Sequence, residues 1–214
     1  MFLPALKRLD LLDLKFRSPR SRVNRESRHP SLLTRIVLPA LTRFYFEGDS
    51  EYLEDIISQI VVPLLCHIVI KFFKQLIFDT PLLLHFISRT ENFSPPQSAD
   101  IQFGDGSFIM IVLPHAMLNS QIDLTISCGP SDWQLSSLAQ VWGSALSPLL
   151  TLERLEIREH RESWQDDIEI TRWPELLRPF IFVNHLVLSK RLVQLFAPAL
   201  QALAEKVRRK HYLR

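Results

Sequence analysis

The sequence predicts an α/β fold built as an irregular repeat solenoid, with parallel strands on one face and helices on the other. Three observations carry this. A short apolar phrase recurs as Leu6-x-x-Leu9-x-Leu11, Leu41-x-x-Phe44-x-Phe46, Leu65-x-x-Ile68-x-Ile70, Leu152-x-x-Leu155-x-Ile157 and Val183-x-x-Leu186-x-Leu188. Two copies follow the same run, Leu3-Pro4-Ala5-Leu6 and Leu38-Pro39-Ala40-Leu41, which chance alternation of apolar residues explains poorly. Segments of helical period lie between the phrases. Neither element can bury its apolar face alone, so strand-helix units have to stack.

Taken in order, the strand markers are Leu9, Phe44, Ile68, Leu155 and Leu186, with weaker copies at Ile101 and Leu124; they return at intervals between 23 and 35 residues. Leucine-rich repeats return about every 20 to 29 residues, so this array is leucine-rich-repeat-like, with several long units. Each helix is expected after its strand. Leu53, Ile56, Ile57 and Ile60 share one face of a helix over 51–60, with Ser50 as its N-cap and Pro63 beyond its end. Thr80-Pro81 opens the next, with proline at the first helical position and Leu82 to Ile87 as its body. Ser131-Asp132 opens a third, Trp173-Pro174 a shorter fourth, and 192–207 forms a final amphipathic helix interrupted by Pro198. Glycines between the alternating segments of 101–109 predict an antiparallel hairpin. The stretches 17–30, rich in Arg and Ser, and 92–98, rich in Pro and Ser, are expected as surface loops.

Composition sets the outer limits. The 214 residues, 47% hydrophobic and 22% charged, suffice for one sizeable core and show no internal shift, so a single domain over 1–214 is expected, beginning inside a repeat and therefore incomplete at its N-terminus. A net charge of +2 gives no overall field for nucleic acid or an acidic membrane surface. The uncharged run 56–70 contains Ser58, Gln59, Pro63 and His67 and falls short of the roughly 18 apolar residues of a membrane span. It reads as a core helix followed by a core strand. Lys7, Arg8 and Asp10 break any secretory signal, so a cytoplasmic or nuclear protein is expected, in which Cys66 and Cys128 are buried free thiols on strands and Asn92-Phe93-Ser94 is not a glycan acceptor.

The phrases Leu38-Pro39-Ala40-Leu41-Thr42-Arg43-Phe44 and Leu149-Leu150-Thr151-Leu152-Glu153-Arg154-Leu155-Glu156-Ile157, with the helix start Asp132-Trp133, resemble the leucine-rich-repeat half of F-box-type proteins of mushroom-forming fungi. The resemblance spans roughly Phe2 to Glu205. It implies a solenoid whose inner strand face recognises a protein target. In that family an F-box nearer the N-terminus docks onto the linker subunit of a cullin-type ubiquitin ligase. An F-box is not expected within 1–214, so the resemblance implies that linker as a partner only for a longer form carrying an F-box upstream.

No motif points to catalysis. The five glycines form no nucleophile elbow or phosphate loop, and Gly104-Asp105-Gly106-Ser107 reads as a turn. Asp166, Asp167 and Glu169 read as a solvated turn; the seven histidines show no metal-ligand spacing, and the tryptophans read as core fillers. No cofactor or metal is expected. The arginines of 17–28 and the basic group of 206–210 lack interleaved aromatics, so nucleic acid is not an expected partner. The positive expectation is a recognition surface for an unidentified protein. In each phrase the intervening residues point away from the core: Arg8 and Asp10; Arg43, Tyr45 and Glu47; His67 and Lys71; Gln102; Asp123 and Thr125; Arg154, Glu156 and Arg158; and His185. The alternative weighed against this non-enzymatic module is a truncated or degenerate fragment without independent function; an enzyme with an unfamiliar site ranks third.

Overall fold

The computed structural model describes residues 9–16, 35–73, 80–90, 92–93, 97–104, 107–113, 121–127, 137–138, 140, 152–159, 183–194, 196–198 and 200–201. Among the described residues the strands and the first two helices follow one another as β1 (Leu11–Lys15), β2 (Ile36–Val37), β3 (Arg43–Gly48), α1 (Ser50–Gln59), β4 (Ile60–Val61), β5 (His67–Phe72), α2 (Pro81–Ser88), β6 (Ser98–Gly104), β7 (Ser107–Leu113), β8 (Gln121–Ser127), β9 (Arg154–Glu159) and β10 (His185–Leu188). Positions 190–194, 196–198 and 200–201 are also helical. Eight strands form one sheet in the order β1-β3-β5-β8-β7-β6-β9-β10, and β2 and β4 form a second. The result is a mixed α/β fold with a mostly parallel central sheet, open at β1 and β10 and so not a closed barrel.

Two successive units are close copies. Ile36 and Val37 pair in parallel with Ile60 and Val61, and the six residues of β3 pair in parallel with the six of β5. Between short and long strand each unit makes the same β-turn with proline second. The Leu41 N–H donates to the Leu38 carbonyl and the Leu65 N–H to the Val62 carbonyl, both at 3.3 Å. Proline fixes φ at the first turn position and lacks the N–H that this geometry leaves unused. A further signature marks strand entry. The carbonyl of Thr42 accepts from the N–H groups of both Cys66 and His67, that of Asp10 from Thr42 and Arg43, that of Gln97 from Glu153 and Arg154, and that of Glu153 from Asn184 and His185.

That signature corrects the frame of the first phrase. Asp10 occupies the position of Thr42, so the aligned phrase is Leu9-x-x-Leu12-x-Leu14, three residues later than Leu6-x-x-Leu9-x-Leu11. Leu12 and Leu14 lie opposite Phe44 and Phe46 and pack on the core, whereas Leu11 is 42% exposed. The region offers too many leucines for spacing alone to choose the register.

The order of strands in the main sheet is not their order in the sequence. The hairpin predicted at 101–109 is present, with β6 and β7 antiparallel from the pair Gly104 and Ser107 onward. It continues into an antiparallel β7-β8 pair, and this three-strand meander is inserted in reverse. Thus β8 pairs with β5 and β6 pairs with β9, both in parallel. Ile122 rather than Leu124 lies opposite Ile68, and Ala99 rather than Ile101 opposite Leu155.

One core lies between the main sheet and the helices. Phe44, Phe46, Ile68, Ile70, Leu124, Ile101 and Ile157 from the strands meet Leu53 and Ile57 of α1 and Leu83 and Phe86 of α2. The Phe44 and Phe86 rings lie 6.4 Å apart, and Phe16 stacks on Tyr52 at 4.3 Å. Gly48, the last residue of β3, leaves room for two rings: a Cβ there would come within 2.9 Å of the Phe46 ring and 3.2 Å of Phe16. Helix α1 starts after an N-cap at Asp49, one residue earlier than Ser50, and α2 starts at Pro81 as expected. Cys66 is a free, half-buried thiol just ahead of β5 rather than within it, and its Sγ donates to the Thr42 carbonyl at 3.4 Å. Cys128, the helix starts at Ser131 and Trp173, and the Arg-rich stretch 17–30 lie outside the described residues.

Candidate functional site

Because side chains alternate along each strand and the sheet is in register, the outward residues of all eight strands line up in rows across the sheet. The middle row runs Asp13, Tyr45, Val69, Asp123, Ile111, Asp100, Glu156, Val187. The row beside it runs Lys15, Glu47, Lys71, Thr125, Ile109, Gln102, Arg158. On the other side Leu11, Arg43, His67 and Gln121 align, and Ser98, Arg154 and His185 continue beyond β7.

Charges of opposite sign meet within and between strands. Lys15 and Asp13 are 3.4 Å apart, Arg43 and Asp10 3.7 Å, and His67 Nε2 lies 3.6 Å from the Asp123 carboxylate, which also accepts from Gln121 at 2.6 Å. Tyr45 sits at the centre of one half. The Lys15 and Lys71 ammonium groups lie 5.0 and 5.4 Å from its ring centroid, one from each flanking strand, and its hydroxyl donates to Glu47 at 3.1 Å. Its hydrogen bond to Lys71, assisted by the charge of Glu47, holds that ammonium pKa above the ordinary value of 10.5 against the opposing effect of burial. In the other half Glu156 accepts from Arg158 Nε at 2.8 Å and from Arg154 at 3.4 Å. Those guanidinium groups hold its carboxyl below the ordinary value of 4.5, the Arg158 hydrogen bond contributing most. The same pairing, with the nearby charge of Asp100, raises Arg158. Between the halves β7 presents Ile109 and Ile111, of which Ile109 is 37% exposed.

Most of the residues expected on this face are brought together on it: Arg43, Tyr45, Glu47, His67, Lys71, Gln102, Asp123, Thr125, Arg154, Glu156, Arg158 and His185. Asp10 lies one residue ahead of β1, at the rim, and Arg8 lies outside the described residues. With the first phrase reframed, Leu11, Asp13 and Lys15 are the outward residues of β1. Sequence reasoning also missed Asp100, Gln121, Val69 and the two β7 isoleucines. Strict alternation would have found Asp100 and Val69, two positions from Gln102 and Lys71.

No protein-family model, curated protein or solved structure matches the chain. Among the described residues no three His, Cys, Asp or Glu side chains form a group able to hold a metal ion, and no helix is long and apolar enough to cross a membrane. What the face can do is present fixed charges, one aromatic ring and a short apolar band to another surface.

Proposed function

We propose that this chain is a non-enzymatic protein-recognition module, intracellular, that holds its partner on the outward face of the main sheet. The observation that carries the reading is Tyr45. Its ring is held between Lys15 and Lys71 and its hydroxyl is tied to Glu47, so a large amphipathic side chain stands pre-ordered among charges of both signs. Rigid aromatic anchors ringed by polar groups supply a disproportionate share of interface affinity. The charge pairs around it favour one partner register over others, because a misplaced partner would leave charges unmatched.

The finer reading is a leucine-rich-repeat-like solenoid similar to the substrate-binding half of an F-box-type ubiquitin-ligase receptor. It is supported by the equivalence of β2-turn-β3 and β4-turn-β5, whose matching residues Thr42 and Cys66 are 24 positions apart. That spacing lies within the range of about 20 to 29 residues of such repeats. On this reading the linker subunit of the ligase joins only through an F-box in a longer form.

The test is affinity capture with quantitative mass spectrometry, comparing the wild type with Tyr45→Ala and Arg154→Glu. Either change should weaken a specific partner by about ten-fold, with the melting temperature kept within a few degrees. Equal capture by wild type and both variants would remove this face from consideration.

A further inference from the structure

On the helix-bearing side of the main sheet, away from the charged rows, an open cavity of about 410 Å³ lies between β4 and the end of α2. Ile60, Val62 and Phe86 form its apolar floor and Thr90 part of its wall. Two cations, Arg35 and Arg89, stand at it. Among the described residues no ion pair joins either guanidinium to a carboxylate, although the charged groups of the sheet face are mostly paired. Both side chains are exposed; partial desolvation and then the charge of Arg35 hold Arg89 below its ordinary pKa.

The α2 C-terminus accounts for one cation here, because Arg89 is its C-cap and a positive charge is favoured at that end of a helix. It does not account for the second. Arg35 precedes the short strand β2, which pairs with β4, and that pairing carries Arg35 to a site where its charge opposes Arg89. Like charges over an apolar floor cost free energy that an anion between them would reverse in sign. Guanidinium groups grip carboxylate and phosphate through paired N–H donors, and cavities of about 300–1,000 Å³ with apolar walls and a few polar groups suit small organic ligands.

We propose that this cavity binds a small amphiphilic anion, with a carboxylate or phosphate head between Arg35 and Arg89 and an apolar body against Ile60, Val62 and Phe86. The site is separate from the strand face and does not depend on the function proposed for that face.

Calorimetric titration of the full chain with octanoate, octyl phosphate and octanol tests it. The expected result is one saturable site for an anion, with octanol at least about ten-fold weaker, and a loss of about ten-fold on Arg35→Gln or Arg89→Gln. Arg89→Lys should retain part of the affinity, since it keeps the charge but not the fork. Whichever anion binds tighter names the head group. Octanol binding as tightly as either anion would overturn the proposal. So would anion binding unchanged in both glutamine variants whose circular dichroism and melting temperature match the wild type.

Discussion

The Glu54 carboxylate, buried in α1, accepts the backbone N–H of Leu83 at 2.9 Å, and its second oxygen accepts that of Leu82 at the same distance. One side chain thereby ties the N-terminus of α2 to the body of α1. The N-cap Thr80 makes no side-chain cap bond, and its buried hydroxyl has no partner among the described residues, so Glu54 takes over the role a capping residue usually performs.

Replacing Glu54 by alanine should therefore cost more than a surface glutamate would. The buried N–H of Leu83 loses its acceptor, and the expected loss is about 1–3 kcal/mol in urea unfolding. Glu54→Gln keeps one acceptor oxygen and should lose less. A Glu54→Ala protein as stable as the wild type would show that water replaces the carboxylate.

The frame of β1 separates two neighbouring leucines. Leu12 packs on the core opposite Phe44 while Leu11 faces outward. Leu11→Asp is expected to stay within about 0.5 kcal/mol of the wild type, and Leu12→Asp to lose more than about 2 kcal/mol by placing a carboxylate in the core. Thermal melts of the two variants decide it; equal losses would contradict the register.

Gly48 allows the Phe16 ring to lie between Phe46 and Tyr52. Gly48→Ala forces at least one ring to move and is expected to destabilise by about 1–3 kcal/mol, against the usual gain from removing a strand glycine. Pairing it with Phe16→Leu should recover part of the loss, measurable in a double-mutant cycle.

Glu156 makes stability depend on pH. Its folded pKa lies below the ordinary value of 4.5, so its contribution is present above that value and is lost as pH falls through the folded pKa. Melting temperatures recorded from about pH 6 down to about pH 3 should fall less steeply for Glu156→Gln than for the wild type. Identical slopes would mean that the arginine contacts do not persist in solution.

Features of short range were legible in the sequence. The i, i+3, i+4 pattern of α1, the proline start of α2 and the antiparallel pairing of β6 with β7 up to Gly104 and Ser107 each depend on a few adjacent residues. The outward positions were legible for the same reason, because alternation within a strand settles which side each residue takes. Partner choice was not. Ile122, Val112 and Ala99 are all apolar inward residues, and nothing local to them specifies that β8 rather than β6 should lie beside β5. The first phrase failed through an excess of signal, since Leu6, Leu9, Leu11, Leu12 and Leu14 satisfy two frames and only the bond pattern at Asp10 selects one. The contacts that single out Tyr45 come from Lys15 and Lys71 on flanking strands, distant in sequence and joined by the register alone.

The reversed strand β7 has an electrostatic consequence. It places Asp123 on β8 and Asp100 on β6 two strand spacings apart, about 10 Å, with only isoleucines between them on that row and the next. At physiological ionic strength the screening length is about 8 Å. Tyr45 on β3 and Glu156 on β9 stand five strand spacings apart, about 24 Å or some three screening lengths, so the charges gathered around each meet a partner as separate groups.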